Sequence, residues 1–211
     1  MASRHSSSDL SGESSALLAR IEHLRQCLPF QELPSNYSNG YPVPGVTQTP
    51  AAVLIPLVVR ESGITVLLTQ RTAHLNDHAG QVSFPGGRCE ESDPDAIFTA
   101  LREAEEEVGL EPRQVKVQGI LPDYYTGTGF RVTPVLGLVT PPLNLKLDDF
   151  EVAEVFEVPL GYVLDRANWR LDTLERNGRQ RQFWATDWHS FYIWGATAGM
   201  LVNLLTLMEN V

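Results

Sequence analysis

The sequence has few of the features that mark a secreted, metal-stapled or membrane protein. It holds only two cysteines among 211 residues, Cys27 and Cys89, and they lie far apart. This argues against a disulfide framework or a paired-cysteine zinc site, and indicates reduced thiols in the cytoplasm. No apolar run reaches the roughly 18–20 residues of a membrane span, and the Ser-rich start lacks the apolar segment of a signal peptide. We therefore expect a cytoplasmic protein without a membrane partner.

Basic residues are also scarce. Lys and Arg total 16 against 26 Asp and Glu, which gives a net charge of −10. Broad binding to a nucleic-acid backbone needs a basic surface, so we expect no nucleic-acid partner. A small phosphorylated ligand is still compatible with this charge, but it would need local help from arginine, lysine or a metal ion.

The chain length suits one domain with an extended terminus, and 43% of its residues are hydrophobic. Residues 1–14 are Ser-rich, and we predict that they are disordered. Residues 15–50 are predicted to form an amphipathic helix and then a Pro- and Gly-rich loop. Residues 51–211 are predicted to be the main domain. The N-terminal helix is expected to dock on it, either within the chain or across a homodimer.

Strand and helix patterns alternate within the main domain. Glu61-Ser62-Gly63 and Asn177-Gly178 each separate two β-rich runs and are hairpin signals. A helix is predicted from about Pro94 to Val108, with Asp93 as its N-cap and Gly109 as its C-terminal cap. A second, mostly apolar helix closes the chain. This order predicts an α/β or α+β fold with helices on a mixed β-sheet.

The helix predicted from about Pro94 to Val108 has four carboxylates within five positions, from Glu103 to Glu107. Like charges this close on a helix repel each other. A helix turns about 100° per residue, so with Glu103 at zero, Glu107 lies at about 40° and Glu106 at about −60°. Glu105 points away, at about 200°. The three converging carboxylates adjoin the apolar stripe of the helix, where a cation would offset their repulsion. Oxygen ligands suit Mg²⁺ or Mn²⁺, although a solvated acidic face is the other interpretation.

Two glycines, Gly86 and Gly87, precede this helix by a short loop. Glycine lets the backbone come close to a ligand, so the Gly86 carbonyl oxygen is a candidate further metal ligand. A plain turn after a strand is the alternative interpretation of the pair.

The segment "GGRCEESDPDAIFTALREAEEEVGL" resembles the Nudix box of the Nudix hydrolases. Gly87 leads the box, and residues 102–110 fill its second half without a gap. The acidic residue of the first half is Asp93 rather than Glu, and one extra residue precedes Arg102. That spacing is similar to the coenzyme A pyrophosphatase branch, whose signature also resembles "LLTQRTAHLNDHAGQVSFPGG". The branch usually carries a basic residue where this chain has Asn76-Asp77.

The resemblance implies the Nudix fold, a mixed β-sheet sandwiched between helices, and metal-dependent hydrolysis of a diphosphate. For coenzyme A the products would be 3′,5′-ADP and 4′-phosphopantetheine. It further implies that Glu103, Glu106 and Glu107 hold Mg²⁺ or Mn²⁺. Arg102 is expected either to orient a carboxylate or to pair with Glu106 across one helical turn.

The resemblance leaves the general base open between a glutamate of the helix and one from a later loop. Glu151 and Glu154 are the loop candidates, and Glu151 is favoured. Arg71, at a strand end, is a candidate phosphate ligand or a member of a salt bridge. Tyr125, with Tyr124, is a candidate to stack on adenine, and packing is the alternative for both.

Three hypotheses for function follow from these residues. The first is a coenzyme A diphosphatase. The second is a Nudix hydrolase of another nucleoside diphosphate derivative, such as ADP-ribose or a dinucleotide, which Asn76 keeps open. The third is a non-catalytic ligand-binding module, and the intact set of Glu103, Glu106 and Glu107 argues against it.

Overall fold

A computed structural model of the chain describes residues 7–28, 45–74, 80–176 and 179–211, together with Ser38, Gly40 and Pro42. In chain order these residues form α1 (Ser7–Cys27), β1 (Thr49–Arg60), β2 (Gly63–Arg71), β3 (Val82–Ser83), β4 (Gly86–Arg88), α2 (Ala96–Val108), β5 (Val115–Ile120), β6 (Tyr124–Tyr125), β7 (Phe130–Val139), β8 (Val152–Pro159), α3 (Leu160–Val163), β9 (Arg170–Arg176), β10 (Arg179–Trp188), β11 (Phe191–Trp194) and α4 (Gly195–Glu209).

The larger sheet is mixed and is organised around β1. This strand pairs in parallel with β7, and its other edge pairs antiparallel with β4 near its start and with β2 near its end. β5 and β6 pair with β7, while β3 and β8 pair with β2. β2 diverges from β1 after Val66, and the β3–β4 segment lies between them. β4 is therefore placed next to the far end of β2.

Helices cover both faces of this sheet. Alternation along β1 directs Ala52 and Leu54 into the core beneath α2, and Ala51 and Ile55 into the core on the other face. The second core also contains α4, part of α1 and α3, and the antiparallel sheet of β9, β10 and β11. The predicted mixed sheet between helices is confirmed.

The N-terminal helix is longer than predicted. α1 begins at Ser7, so residues 7–14, which we predicted to be disordered, are helical. Serine lowers helix propensity by only a few tenths of a kcal/mol per residue, so a helix anchored further along can extend through it. The anchor is Ile21 and Leu24, which are fully buried in the core that contains α4. The helix thus docks within its own chain, and a homodimer stays a prediction.

The structure contains the paired strands of both predicted hairpins. β1 and β2 join at Arg60 and Gly63, which pair across a two-residue turn, as predicted. β9 and β10 also pair antiparallel, but Asn177-Gly178 between them lie outside the described residues. In the described part of the chain, no helix is both long and apolar enough to cross a membrane.

Candidate active site

The ends of α2 set the positions of its carboxylates. Asp95 caps the N-terminus, where its Oδ1 accepts a hydrogen bond from the Phe98 N–H at 2.8 Å. The predicted start at Pro94 with Asp93 as N-cap is therefore wrong. Gly109 ends the helix in the left-handed conformation, with φ of 69°, as predicted.

Asp93 holds Arg102 instead of capping the helix. Arg102 donates from Nε to Asp93 Oδ1 at 3.2 Å and from Nη2 to Oδ2 at 3.0 Å. Thr99 Oγ1 and the Glu90 N–H also donate to Oδ2. The Asp93 side chain is only 2% exposed, and its pairing with Arg102 lowers its pKa to about 2. A two-point contact of this kind fixes the orientation of the guanidinium group.

The remaining nitrogen of Arg102 contacts two helix carboxylates. Nη1 lies 2.9 Å from Glu103 Oε1 and 2.9 Å from Glu106 Oε2. The predicted pairing of Arg102 with Glu106 across one turn is present, together with a contact to Glu103, and the orienting role of Arg102 stays a prediction. From the sequence, Asp93 was predicted to be the N-cap of the helix. The Nudix box resemblance had also identified it as the acidic residue in the first half of the box.

The Glu103 carboxylate lies directly against Gly87. A Cβ atom added to Gly87 would lie 2.5 Å from the Glu103 carboxyl carbon, so a larger residue would displace the carboxylate. Burial raises the pKa of Glu103. The two glycines are part of β4 and pair with Ala52 and Val53, not the turn that we considered as an alternative. Pairing with the backbone of β1 holds Gly87 beneath the helix.

Glu107 is the most deeply buried carboxylate of α2, with a side chain 7% exposed. Its Oε2 accepts a hydrogen bond from the Gly86 N–H at 3.1 Å, and its Oε1 lies 3.7 Å from Arg71 Nη1. Burial is the largest influence on this group and raises the pKa of Glu107 to about 8. One hydrogen bond and one distant cation are weak compensation for a charge at this depth.

Arg71 connects this carboxylate with the loop before β8. Its Nη2 lies 3.7 Å from Glu151 Oε2, so one guanidinium faces both Glu107 and Glu151. The loop is anchored by two backbone hydrogen bonds, from Thr72 N to Glu151 O at 3.0 Å and from Asp148 N to Glu107 O at 2.9 Å. Glu151 is 42% exposed and open to solvent.

The remaining acidic residues considered in the sequence are more exposed to solvent. Glu106 is 60% exposed, and Glu105 is exposed on another side of the helix, as its helical angle predicted. Glu154, the second loop candidate, is exposed on β8 opposite Gln70.

These residues fit a hard divalent cation, although they are not already gathered around one. Within the described ranges, no three Asp, Glu, His or Cys side chains are close enough to enclose an ion. Arg102 draws Glu103 and Glu106 towards itself, whereas Glu107 turns to Gly86. The donors are all oxygens, as Mg²⁺ and Mn²⁺ prefer, and the buried Glu107 needs more positive charge than Arg71 supplies at 3.7 Å.

The backbone of Gly86 suits the role predicted for its carbonyl oxygen. Pro85 O accepts a backbone hydrogen bond from Leu54 N, and Gly87 pairs with Ala52 on the same strand. Because these alternate residues pair with β1, Gly86 between them directs its N–H and C=O away from β1. The Gly86 N–H meets Glu107 on that side.

The two tyrosines differ in position. Tyr124 packs against α4, where a Cβ atom added to Gly199 would lie 2.4 Å from its hydroxyl. Packing is thus the role of Tyr124. Tyr125 is half-buried in β6, opposite Arg131 and bridged to Gly40. Its contact with adenine stays a prediction.

A family model described as the NUDIX domain matches residues 48–177. This range includes every residue of the cluster described above. The uncharacterized Nudix hydrolase NudL of Escherichia coli K12 is 44% identical over 154 residues, covering 73% of this chain and 80% of that protein. NudL of Citrobacter koseri is 46% identical with the same coverage.

Solved structures also match the chain. The Nudix hydrolase RenU from M. smegmatis is 24% identical, covers 56% of this chain and 74% of that one, and has a TM-score of 0.47. The NUDIX domain of Shewanella oneidensis NrtR, solved with ADP ribose, is 20% identical, covers 66% of this chain and 84% of that one, and has a TM-score of 0.43.

Proposed function

The chain belongs to the Nudix hydrolase family of pyrophosphohydrolases, and we propose that it hydrolyses the diphosphate bond of coenzyme A or its derivatives. The reaction would be metal-dependent and would release 3′,5′-ADP and 4′-phosphopantetheine. The observation that carries the proposal is Glu107, a buried and poorly compensated carboxylate. It lies on the helix of the Nudix box, with Arg71 between it and Glu151.

The proposed metal ligands are the carboxylates of Glu103, Glu106 and Glu107 and the carbonyl oxygen of Gly86. A Mg²⁺ or Mn²⁺ ion held by these residues would neutralise charge on the diphosphate and would lower the pKa of water bound to it. Arg102 has a positioning role in this proposal. Because Asp93 holds two of its nitrogens, the third keeps Glu103 and Glu106 on the same side of the helix.

Arg71 and Glu151 are proposed to act on the substrate and the attacking water. Arg71 lies 3.7 Å from each of its two carboxylates, which is longer than a charge-assisted hydrogen bond. Its guanidinium therefore retains donors for a phosphate oxygen. Glu151 is reachable by solvent and lies in the cluster, so we assign it the role of general base, which accepts the proton from water.

The coenzyme A part of the proposal is supported by the resemblance of residues 67–87 to that branch of the family. In the structure, the apolar residues of this stretch, such as Leu67 and Phe84, are buried in the two cores. Arg71 and the glycine pair belong to the candidate site. Asn76-Asp77 lie outside the described residues.

A substrate panel with Mg²⁺ and Mn²⁺, with products identified by mass, tests the proposal. We expect release of 4′-phosphopantetheine from coenzyme A to outpace hydrolysis of ADP-ribose and dinucleotides. Faster turnover of ADP-ribose would contradict the coenzyme A assignment but keep the hydrolase. No turnover of any diphosphate would favour a non-catalytic module.

The general base has its own test. Glu151→Gln should lower kcat by about 10²–10⁴-fold. Glu154→Gln, at an exposed position of β8, is the matched control. If Glu151→Gln keeps its rate, the base is a glutamate of the helix.

The proposal includes two statements about context. Cys27 and Cys89 are free thiols in the structure, and we propose the cytoplasm as the location of the protein. We also propose a homodimer, which light scattering after size-exclusion chromatography would detect; a monomer at micromolar concentration would contradict it.

A further inference from the structure

Two exposed arginines, Arg88 and Arg181, differ from the other arginines around the site. The described residues include no carboxylate within ion-pair distance of either one, whereas Arg71 and Arg102 are each paired with acidic side chains. In a chain with 26 acidic residues and a net charge of −10, unpaired cations at a defined place need an explanation.

One short turn contacts both guanidinium groups. The turn runs from Thr126 to Phe130 and is closed by hydrogen bonds from Thr126 N to Phe130 O at 2.9 Å and from Phe130 N to Thr126 Oγ1 at 3.0 Å. The Arg88 guanidinium carbon lies 5.4 Å from the centroid of the Phe130 ring. A Cβ atom added to Gly127 would lie 3.0 Å from Arg181 Nη1. Both guanidinium groups therefore lie against the same turn.

The turn lies next to the candidate active site through β4. Arg88 directly follows Gly87, against which the Glu103 carboxylate packs. Side chains alternate along a strand, so Gly87 faces α2 and Arg88 extends from the opposite face. The outer edge of β4 carries the Gly86 N–H that meets Glu107. A ligand lying across this edge would meet the carboxylate cluster on one face and Arg88 on the other.

We propose that Arg88 and Arg181 bind a phosphomonoester group of the substrate that is separate from the diphosphate being cleaved. The fork of a guanidinium group matches phosphate oxygens, and neither arginine has a carboxylate partner among the described residues. The inference rests on the proposed hydrolase function. It restricts the substrate class to nucleoside diphosphate derivatives that also carry a phosphate on the nucleoside.

Matched substrate pairs test this subsite. The pairs are coenzyme A with dephospho-coenzyme A, and ADP-ribose 2′-phosphate with ADP-ribose. We expect kcat/KM of the wild type to favour the phosphorylated member by about tenfold to a hundredfold. Arg88→Gln and Arg181→Gln should each reduce that ratio, and the double variant should bring it near one. Arg113→Gln, an exposed arginine paired with Glu111, should leave the ratio unchanged.

A binding measurement separates failure of this inference from failure of the proposed function. Titration calorimetry without metal should show tighter binding of 3′,5′-ADP than of AMP to the wild type, and equal binding to the double variant. A wild type that hydrolyses both members of each pair equally well would overturn the subsite and keep the hydrolase. If no substrate is hydrolysed, the proposed function fails, and equal affinity for the two nucleotides would overturn the subsite as well. A ratio that survives in the double variant would also overturn it.

Discussion

α2 and α4 cover opposite faces of the same sheet, and each buries a polar side chain in a different way. Asn203 of α4 donates from Nδ2 to Ser38 O at 2.8 Å, and its Oδ1 accepts from Ser38 N at 3.3 Å. Glu107 of α2 has one hydrogen bond, from Gly86, and an arginine at 3.7 Å. Both polar atoms of the Asn203 amide are hydrogen-bonded within the protein, whereas the neighbours of Glu107 only partly balance its negative charge.

We infer from this difference that Asn203 has a structural role, whereas Glu107 has the role proposed for it in the site. A satisfied amide adds net stability, here by two hydrogen bonds between Asn203 of α4 and the backbone of Ser38. An incompletely balanced buried charge costs stability, and such groups cluster where chemistry uses them. Substitution of Glu107 should therefore lower activity without lowering stability, whereas substitution of Asn203 should lower stability without lowering activity.

Glu107→Gln should give the largest effect on activity. We expect kcat to fall by more than the roughly 10–100-fold that loss of an outer-shell partner costs, because Glu107 is proposed to be a direct metal ligand. The folded state should keep or gain stability at pH 8, since a neutral amide replaces a buried charge. Steady-state kinetics and urea unfolding check both parts. Glu103→Gln and Glu106→Gln should also slow turnover.

Glu105→Gln is the matched control on the same helix. Its side chain is exposed and lies away from the cluster, so kcat should stay within about twofold of the wild type. Near-normal rates for both Glu106→Gln and Glu107→Gln would refute the metal-site interpretation. A large defect in Glu105→Gln would show that the assignment of helix faces is wrong.

Gly87→Ala should give an intermediate loss of activity. The added methyl would meet the Glu103 carboxyl carbon at 2.5 Å and push the carboxylate out of place. Misplacement of a site group by this route should cost about 10–100-fold in kcat. Gly161→Ala is the control, because a Cβ atom there has only an ordinary contact, at 3.9 Å. Equal kinetics for the two variants would exclude a role for close packing at Gly87.

Asn203→Ala should show the reverse of the Glu107 pattern. Removal of the amide leaves two backbone groups of Ser38 without their partners, so we expect a loss of about 1–3 kcal/mol in the free energy of unfolding. The kcat of the folded enzyme should stay near that of the wild type. Asn210→Ala, just after α4, removes one hydrogen bond from an exposed side chain to Thr206 O and should cost less, about 0.5–1.5 kcal/mol. A large fall in the kcat of Asn203→Ala, at a temperature where the variant is folded, would contradict the structural role inferred for Asn203.

The pH dependence of stability reports on the same buried carboxylate in the metal-free protein. The folded pKa of Glu107, about 8, exceeds its ordinary value of 4.5, so the folded state keeps a proton that the unfolded chain releases. The stability from this group is complete below pH 4.5 and is lost as pH rises towards 8, with a slope of up to about 1.4 kcal/mol per pH unit. Asp93 acts in the opposite direction, but only below its ordinary value of 3.8.

Urea unfolding of the metal-free protein at pH 5, 6.5 and 8 checks this slope. Glu107→Gln should flatten it, because the titrating group is gone. Identical slopes in the wild type and the variant would show that Glu107 is not the group responsible.

The parts of the site that depend on local geometry were predictable from the sequence. The buried stripe of α2, the outward direction of Glu105 and the cap at Gly109 all follow from helix angles and from the conformational freedom of glycine. Asp93 and Asp95 both precede the helix and both suit an N-cap. Only the fold shows that Asp95 caps the helix while Asp93 binds Arg102.

The parts that depend on contacts distant in sequence were not predictable from the pattern alone. The position of Gly87 beneath Glu103 requires β4 to pair with β1. The approach of Glu151 to Arg71 requires β8 to pair with β2. The Nudix box resemblance supplied the candidates, and the sheet brings them together.

The central claim is that Glu107 and its neighbours hold a divalent cation, and Mn²⁺ binding tests it most directly. Thermal unfolding of the wild type at pH 8 should shift to higher temperature with added Mn²⁺, because an ion that binds only the folded state stabilises it. The shift should be lost in Glu107→Gln and retained in Glu105→Gln. An equal Mn²⁺-dependent shift in the wild type and Glu107→Gln would contradict the claim.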